Sequence, residues 1–424
     1  MKVGIIGSGI GGLAAAYFLN QQGQQVTLLE KLPDIGMDAH RISLDLEGQQ
    51  IEGDVPSRMF NELQWPELCS LYKEIGVESV PVDPTQSFSR IDQSVYLKLD
   101  IANRPRLALN MLKDRRLRAI ATDIERLQKQ GTGDLMNDHL RDLSLGEYLR
   151  NNNYSFEFVQ EFLYPTLSST VFTCSYQALD NYPSAIALAT LKRLFDSPKL
   201  LRTKFGTSDV VQRLTKGIKE IRTSTKVESF TEQGEEVFVR HSYGTERFDH
   251  LIVATQANHI EGMYDAISEV ERLTLQGFQY ENVDVIVHTD RALLPKAKKH
   301  WSTFNMILAK PDEPAAAMCS VWMNRFHDGW NLQSPVFQTI NPLVQPQKES
   351  VLARISLQRP VVSQHTYQLW EQLAQIQNAP GRRIWFAGSY ASEGLPLLET
   401  GVRSAKQIAL RIGKPSLTQL EQLD

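Results

Sequence analysis

Near its start the chain reads GIIGSGIGGLAAAYFLNQQGQQVTLLEK, from Gly4 to Lys31. Few stretches constrain a fold more. Gly7, Gly9 and Gly12 form G-x-G-x-x-G, preceded by the apolar Val3, Ile5 and Ile6. Leu13, Ala14, Ala15, Ala16, Phe18 and Leu19 then suit a packed helix. Gly23 ends that helix, and Val26, Leu28 and Leu29 read as a second strand ending at Glu30. The whole is one βαβ unit shaped for a dinucleotide. Gly7 allows the tight turn, Gly9 lets the backbone approach a pyrophosphate, and Gly12 lets helix and strand pack closely. The helix N-terminus offers free N–H groups and partial positive charge to the phosphates. Glu30 suits the ribose hydroxyls, and its charge would repel a 2′-phosphate, which argues against NADP. The competing reading, a chance Gly-rich turn, does not explain strand, helix, second strand and terminal acid all in register.

Length and charge bound the rest. A chain of 424 residues suggests two or more lobes. A net charge of −4 gives no basic excess for nucleic acid. Cys69, Cys174 and Cys319 have no paired spacing, so they read as buried or bystander thiols. The N-terminus enters a strand directly, without a basic leader and apolar stretch. Apolar runs such as AIALATL at 185–191 are too short to span a bilayer. A cytoplasmic protein is expected.

The pattern along the chain suggests interleaved lobes. Residues 1–60 carry the βαβ unit and its sequel. Residues 62–200 read as mostly helical, broken at NNNYS and DNYPS. IRTSTKVESF, EEVFVRHS and FDHLIVATQA alternate as strands of a small meander that returns to the nucleotide sheet. VDVIVHT, AAMCSVWMN and PVFQTIN supply more strands, and the segment from RRIWFAGSY onward reads as strand, loop and helix.

Four separated stretches resemble the flavoprotein superfamily of amine oxidases and phytoene desaturases. They are the βαβ unit with Glu30, EKLPDIGMDAHRI after it, STKVESF with FDHLIVATQANH, and FAGSYASEGLPLLETGVRSA near the end. Within that superfamily, SLGEYLRNNNYS, VIVHTDRALLPKAKKHWSTFN, VWMNRF and VFQTINP are similar to a bacterial group of amine oxidase-like NAD/FAD-binding oxidoreductases. The resemblance implies an α/β fold: a Rossmann-like FAD-binding domain of the amine oxidase type, interleaved with a mixed α+β substrate domain. It implies FAD-binding segments at 1–75, 205–265 and 380–424, with 76–204 and 266–379 forming the substrate domain. It implies tightly held FAD.

By the same resemblance, Gly7, Ser8, Gly9, Ile10, Gly11 and Gly12 face the pyrophosphate. Glu30, with Lys31 beside it, holds the adenosine ribose, and Val227 touches the adenine through its backbone. Gly388 and Ser389 lie near the ribityl and phosphate groups. Thr400, Gly401 and Val402 begin a last helix whose N–H groups stabilise negative charge on the reduced ring. The simpler reading of Glu399 is a solvated helix-cap acid, and that of Arg403 a surface residue.

The sequence departs from the family pattern at two places. Met37 stands for the second glycine after the acid, and Asp38 for the usual Arg or His. Arg41 could supply the missing cation, or only pair with Asp38 or Asp45. In GDVPSRMFN, Pro56 replaces a glycine, while Ser57 and Arg58 replace apolar residues beside the flavin ring; Met59 follows them. Proline removes an N–H. Arg58 could face the ring, favouring an anionic reduced flavin or an acidic substrate, or could point to solvent.

The substrate side is less defined, and no catalytic residue is assigned. Hydride acceptance by a flavin needs a shaped pocket rather than a fixed acid–base set. No metal spacing or Ser/His/Asp signature is present. Tyr164, His259, His288, Trp301, Asn305 and Tyr390 are lone candidates. His288 sits on an apolar strand as a core histidine would, Trp301 and Phe304 have packing spacing, and Tyr390 neighbours the flavin loop. Lys296, Lys298 and Lys299 lie where the family carries a lysine-bound water. The basic stretch 103–129, with Leu107, Leu109, Leu112 and Leu117, suits either peripheral membrane contact or an ordinary helix packed on the second lobe. Three functions are carried: an FAD-dependent oxidoreductase that oxidises, desaturates or isomerises a small or lipid-like substrate; an amine oxidase releasing hydrogen peroxide; and a flavin-binding partner protein with altered catalysis.

Overall fold

The apolar run at the N-terminus becomes β1 (Lys2–Ile6), the middle strand of a five-stranded parallel sheet. The computed structural model describes residues 1–36, 41–99, 114–135, 138–197, 199–310, 313–327 and 329–413. On one side of β1 lie β2 (Gln25–Leu29) and β9 (Glu220–Arg222); on the other lie β13 (His250–Val253) and β19 (Ile384–Phe386). Apart from the edge strand β9, their residues form apolar runs rather than alternating patterns because both faces are covered, as in parallel sheets generally. Ile6 pairs in register with Leu29 and Val253, so the strands end level and their following loops gather at one edge. α1 (Ile10–Gln21) and the final helix Leu398–Ile412 pack together over this sheet, burying Leu13, Ala16, Val402 and Ile408.

An antiparallel meander of β10 (Val227–Gln233), β11 (Glu236–His241) and β12 (Gly244–Phe248) leads back into β13, as the alternation in that stretch predicts. Two short antiparallel pairs stand apart. They are β3 (Arg41–Leu46) with β4 (Gln49–Asp54), and β5 (Ser79–Pro81) with β8 (Leu201–Thr203).

The second lobe centres on a seven-stranded sheet in the order β18–β14–β17–β16–β15–β6–β7. Its strands are β6 (Gln86–Arg90), β7 (Val95–Leu99), β14 (Gln279–His288), β15 (Phe304–Leu308), β16 (Ala317–Trp322), β17 (Phe337–Ile340) and β18 (Val351–Val361). The helical expectation for 62–200 missed three strands, β5 to β7. Their pairing is nonlocal: Phe88 of β6 lies parallel to Met306 of β15. Short strands of that kind are set by tertiary partners rather than by local propensity. A layer of short helices from Leu145 to Asp196 covers one face of the sheet.

In the basic stretch, the helix Arg115–Arg126 buries Leu117 and Ile120 in the core. Arg116 pairs with Glu161 at 3.3 Å, and Arg126 stacks over the Tyr154 ring at 4.0 Å. This part packs as an ordinary helix of the second lobe. Leu107, Leu109 and Leu112 lie outside the described residues. Among the described residues, no helix is long and apolar enough to cross a membrane.

Candidate cofactor cradle and substrate cleft

The glycine turn is built around two close approaches. Gly7 has φ +94°, and its amide donates to the Leu29 carbonyl at 2.9 Å. A Cβ on Gly12 would stand 1.9 Å from the Gly7 carbonyl oxygen, so only glycine lets the helix start this close to the strand. α1 opens from Gly9 with no side-chain cap and no acid in its first turn. A Cβ on Gly9 would meet nothing within 4 Å. The positive end of the helix therefore faces open space, the arrangement that binds anions.

The last helix starts at the same place. A Cβ on Gly401 would come 2.9 Å from Ile10 Cγ2 and 3.8 Å from the Ser389 amide, and one on Gly11 would come 3.2 Å from the Gly388 amide. Ser404 fixes the loop by accepting the Gly388 amide at 3.1 Å. Ile10, Gly11, Gly388, Ser389, Thr400, Gly401 and Val402 thus form one wall, with two helix N-termini side by side.

Glu30 is buried, 6% exposed, at the end of β2. Its Oε2 accepts the Ser8 amide at 2.9 Å and the Ser8 hydroxyl at 2.7 Å, and its Oε1 accepts the Leu32 amide at 2.9 Å. The Ser8 hydroxyl also accepts the Gly36 amide at 2.5 Å. Glu30 therefore holds the turn itself, a duty the sequence reading did not give it. A carboxylate has about four lone-pair sites, so it still has capacity for a ligand hydroxyl. The Glu30 carbonyl accepts the Thr225 amide at 2.7 Å, which brings Val227, the first residue of β10, to this end of the sheet. Lys31 is exposed. Partial burial, with the charge of Lys31, pushes His259 below its ordinary pKa. Arg41 opens β3 and donates to Ser208 Oγ at 2.9 Å and to Glu52 at 3.2 Å. Met37 and Asp38 lie outside the described residues.

The segment after β4 is clamped between the lobes. Gln338 accepts the Ser57 amide at 2.7 Å and donates to the Asp54 carbonyl at 3.1 Å. The Asp54 carboxylate accepts the Thr207 hydroxyl at 2.6 Å. Gln338 and Asp54 escaped sequence reading, because neither stands in a motif and they meet only through the fold. Arg58 Nη1 is buried with no hydrogen-bond partner, and its charge reaches the buried Tyr72. An orphaned, buried guanidinium N–H on this segment fits a bound anionic or carbonyl-bearing cofactor.

Between the lobes runs a narrow cleft of about 50 Å³. Pro56, Ser57 and Met59 form one wall; Val283, Phe304, Val321, Ile340 and Leu357 of the large sheet form another. Thr170 and Thr173 close a third side, and Arg359 is the one charged lining residue. A wider cleft of about 330 Å³ touches Thr400, but its charges are largely paired, Arg141 with Glu393 at 2.8 Å and Arg403 with Glu399 at 3.2 Å.

Most of the lone candidates are structural. His288 is fully buried, bonded to Thr339 Oγ1 at 2.7 Å and accepting the Asp290 amide at 3.1 Å, and burial lowers its pKa to about 4. Asn305 bonds Ser87, Ser302 and Ser320. Trp301 packs against Trp322 and Phe337 and donates to the Pro295 carbonyl. Tyr164 donates to Asp180 at 2.8 Å. Lys296, Lys298 and Lys299 are exposed. Tyr390 is buried beside Gly388, packs on Phe278, and has a hydroxyl without a partner. Glu399 is not a solvated cap: it is 3% exposed and caps a different helix, Pro66–Glu74, through the Leu68 amide at 2.9 Å.

A sequence model described as flavin containing amine oxidoreductase matches residues 10–358. A CLA-producing fatty acid isomerase from P. acnes has a TM-score of 0.67 at 17% identity, covering 96% of this chain and 98% of that one. Cyclohexylamine oxidase from Brevibacterium oxydans IH-35A gives 0.63 at 14% identity over 99% of each chain. Putrescine oxidase bound to putrescine gives 0.64 at 14% identity over 97% and 99%. No curated protein sequence matches the chain. At such identities the likeness is one of fold, whereas the sequence match extends over most of the chain. The chain belongs to the family of flavin-containing amine oxidoreductases, as an FAD-dependent oxidoreductase.

Proposed function

We propose that the enzyme oxidises, desaturates or isomerises an apolar, lipid-like substrate held in the cleft between Met59 and the large sheet, rather than an amine. The carrying observation is the cleft lining. Met59, Val283, Phe304, Val321, Ile340 and Leu357 are apolar, and the only charge among the lining residues is the cation Arg359. An ammonium substrate is stabilised by carboxylates or by aromatic faces. This cleft presents one aromatic ring and a like charge, which opposes such a substrate.

In this reading the pyrophosphate of FAD lies at Gly7 to Gly12, its ribose at Glu30, and its flavin end at Gly388, Ser389 and Thr400–Val402. Bound there, FAD would supply the acceptor for a hydride leaving a substrate carbon. The chain's own residues do the rest. The apolar walls exclude water and hold the substrate by contact area. The clamp of Gln338 on Ser57 and Asp54 fixes the wall that carries Met59 and Arg58. The N-terminus of the last helix opposes negative charge that develops on reduction.

The test is anaerobic mixing of the yellow holoenzyme with unsaturated fatty acids and with primary amines. Flavin bleaching, or a new conjugated-diene absorbance, is expected with the acids. Rapid bleaching by amines alone, with hydrogen peroxide released in air, would overturn the reading.

A further inference from the structure

Arg359 stands in the apolar cleft without an acid. On β18 it follows Leu357 by two residues, so both side chains share the face that lines the cleft. Its cross-strand neighbour on β14 is Glu281, the natural ion-pair partner. The Glu281 carboxylate is turned elsewhere. It accepts the Ser175 amide and hydroxyl, both at 2.7 Å. Among the described residues, Arg359 makes no ion pair, and its Nη2 donates only a long bond of 3.5 Å to the Pro396 carbonyl. Tyr182 adds a second unmet group. Its hydroxyl is buried, has no hydrogen-bond partner and lies within electrostatic reach of Arg359.

Arg359 is half-buried, and a guanidinium partly withdrawn from water gains from an anion or carbonyl oxygens that meet it. Desolvation already pulls the pKa of Arg359 below the ordinary arginine value. Such a group presents a planar fork of donors that matches a carboxylate in two bonds.

We infer that the cleft takes a substrate with a carboxylate head and an apolar tail, the head anchored by Arg359 and the tail laid along Val283, Phe304 and Ile340. This rests on reading the cleft as the substrate site. It goes further by fixing which end of the substrate binds where: the acid sits beside β18, and the reacting carbons lie toward Met59.

The holoenzyme is titrated with decanoate, methyl decanoate and decylamine, following the visible flavin spectrum. Decanoate is expected to bind about tenfold or more tightly than the ester or the amine, a difference of about 1.4 kcal/mol or more. In Arg359→Gln that preference is expected to vanish while FAD content holds. In Arg359→Lys part of it should remain, because charge is kept but the fork is lost. Equal binding of all three by the native enzyme, or a decanoate preference that survives Arg359→Gln, overturns the anchor and leaves the apolar substrate reading standing. If none of the three perturbs the flavin, both fall.

Discussion

Ser8 gives its amide and its hydroxyl to the same oxygen of Glu30, at 2.9 and 2.7 Å. The acid that ends β2 is therefore part of the glycine turn as well as a candidate ribose ligand. Burial makes the arrangement consequential. A buried amide that loses its acceptor costs about 1–3 kcal/mol, and bonds to a charged group are worth about 1.5–3 kcal/mol each.

Glu30→Ala is accordingly expected to lose FAD on gel filtration and also to lower the stability of the FAD-free protein. The check is the ratio of visible to ultraviolet absorbance, followed by denaturant unfolding of the apoprotein. Lost FAD with unchanged apoprotein stability would confine Glu30 to the ligand.

Glu399 does for the helix Pro66–Glu74 what that helix cannot do for itself. Its N-cap is Trp65, whose side chain has no oxygen to offer, and Pro66 begins the helix. The Glu399 carboxylate accepts the Glu67 and Leu68 amides at 3.3 and 2.9 Å. Glu399→Ala should cost about 1–2 kcal/mol of stability, the scale of a lost cap. Glu399→Gln, which keeps an acceptor, should cost less. Thermal unfolding of the three proteins decides it, and equal melting temperatures would remove the capping role.

These two acids show where sequence reading stopped. The glycine spacing, the apolar strands and the last helix were legible, because each is local and periodic. Glu30 was found but only half understood, since its bond to Ser8 depends on how the turn closes. Glu399 was seen as a surface cap, because its true partner helix lies over three hundred residues earlier. The cleft was the least legible part. Val283, Phe304, Ile340 and Arg359 come from four strands and meet only when the seven-stranded sheet forms. β6 and β7 were missed for the same reason.

His288 should give the fold a pH dependence of known sign. Its ring is fully buried and neutral, with a pKa lowered to about 4 by burial. In the unfolded chain the ordinary value is about 6.5. Below that value the unfolded state binds a proton the folded state refuses. Stability is therefore lost as pH falls from about 6.5 to about 4, and is unaffected above that window. The full difference is on the order of 3 kcal/mol. His288→Gln should be flatter than the native protein across that window in denaturant titrations. Parallel curves would mean that other groups carry the slope.

Burial also silences the thiols. Cys69, Cys174 and Cys319 are each pushed up to about 12, first by desolvation. Only a thiolate alkylates readily. Native protein at neutral pH should take up iodoacetamide slowly, and unfolded protein rapidly at all three positions, as mass spectrometry would show. Fast labelling of one native cysteine would place it in a different environment.

Arg58 carries the prediction most specific to this chain's departures. Its Nη1 is buried without a partner, next to Ser57, whose amide is fixed by Gln338. If the guanidinium completes its bonding on the flavin, its charge favours the anionic reduced form and raises the reduction potential. A two-electron shift of about 30 mV equals about 1.4 kcal/mol. A charge several ångströms away at intermediate dielectric can supply that. Arg58→Met should therefore lower the potential by tens of millivolts and slow flavin reduction. Met is also apolar, so stability should fall little; losing an unpaired buried N–H offsets part of the lost packing. A redox titration followed by visible absorption measures the shift directly. Equal potentials in the two proteins would place Arg58 away from the ring.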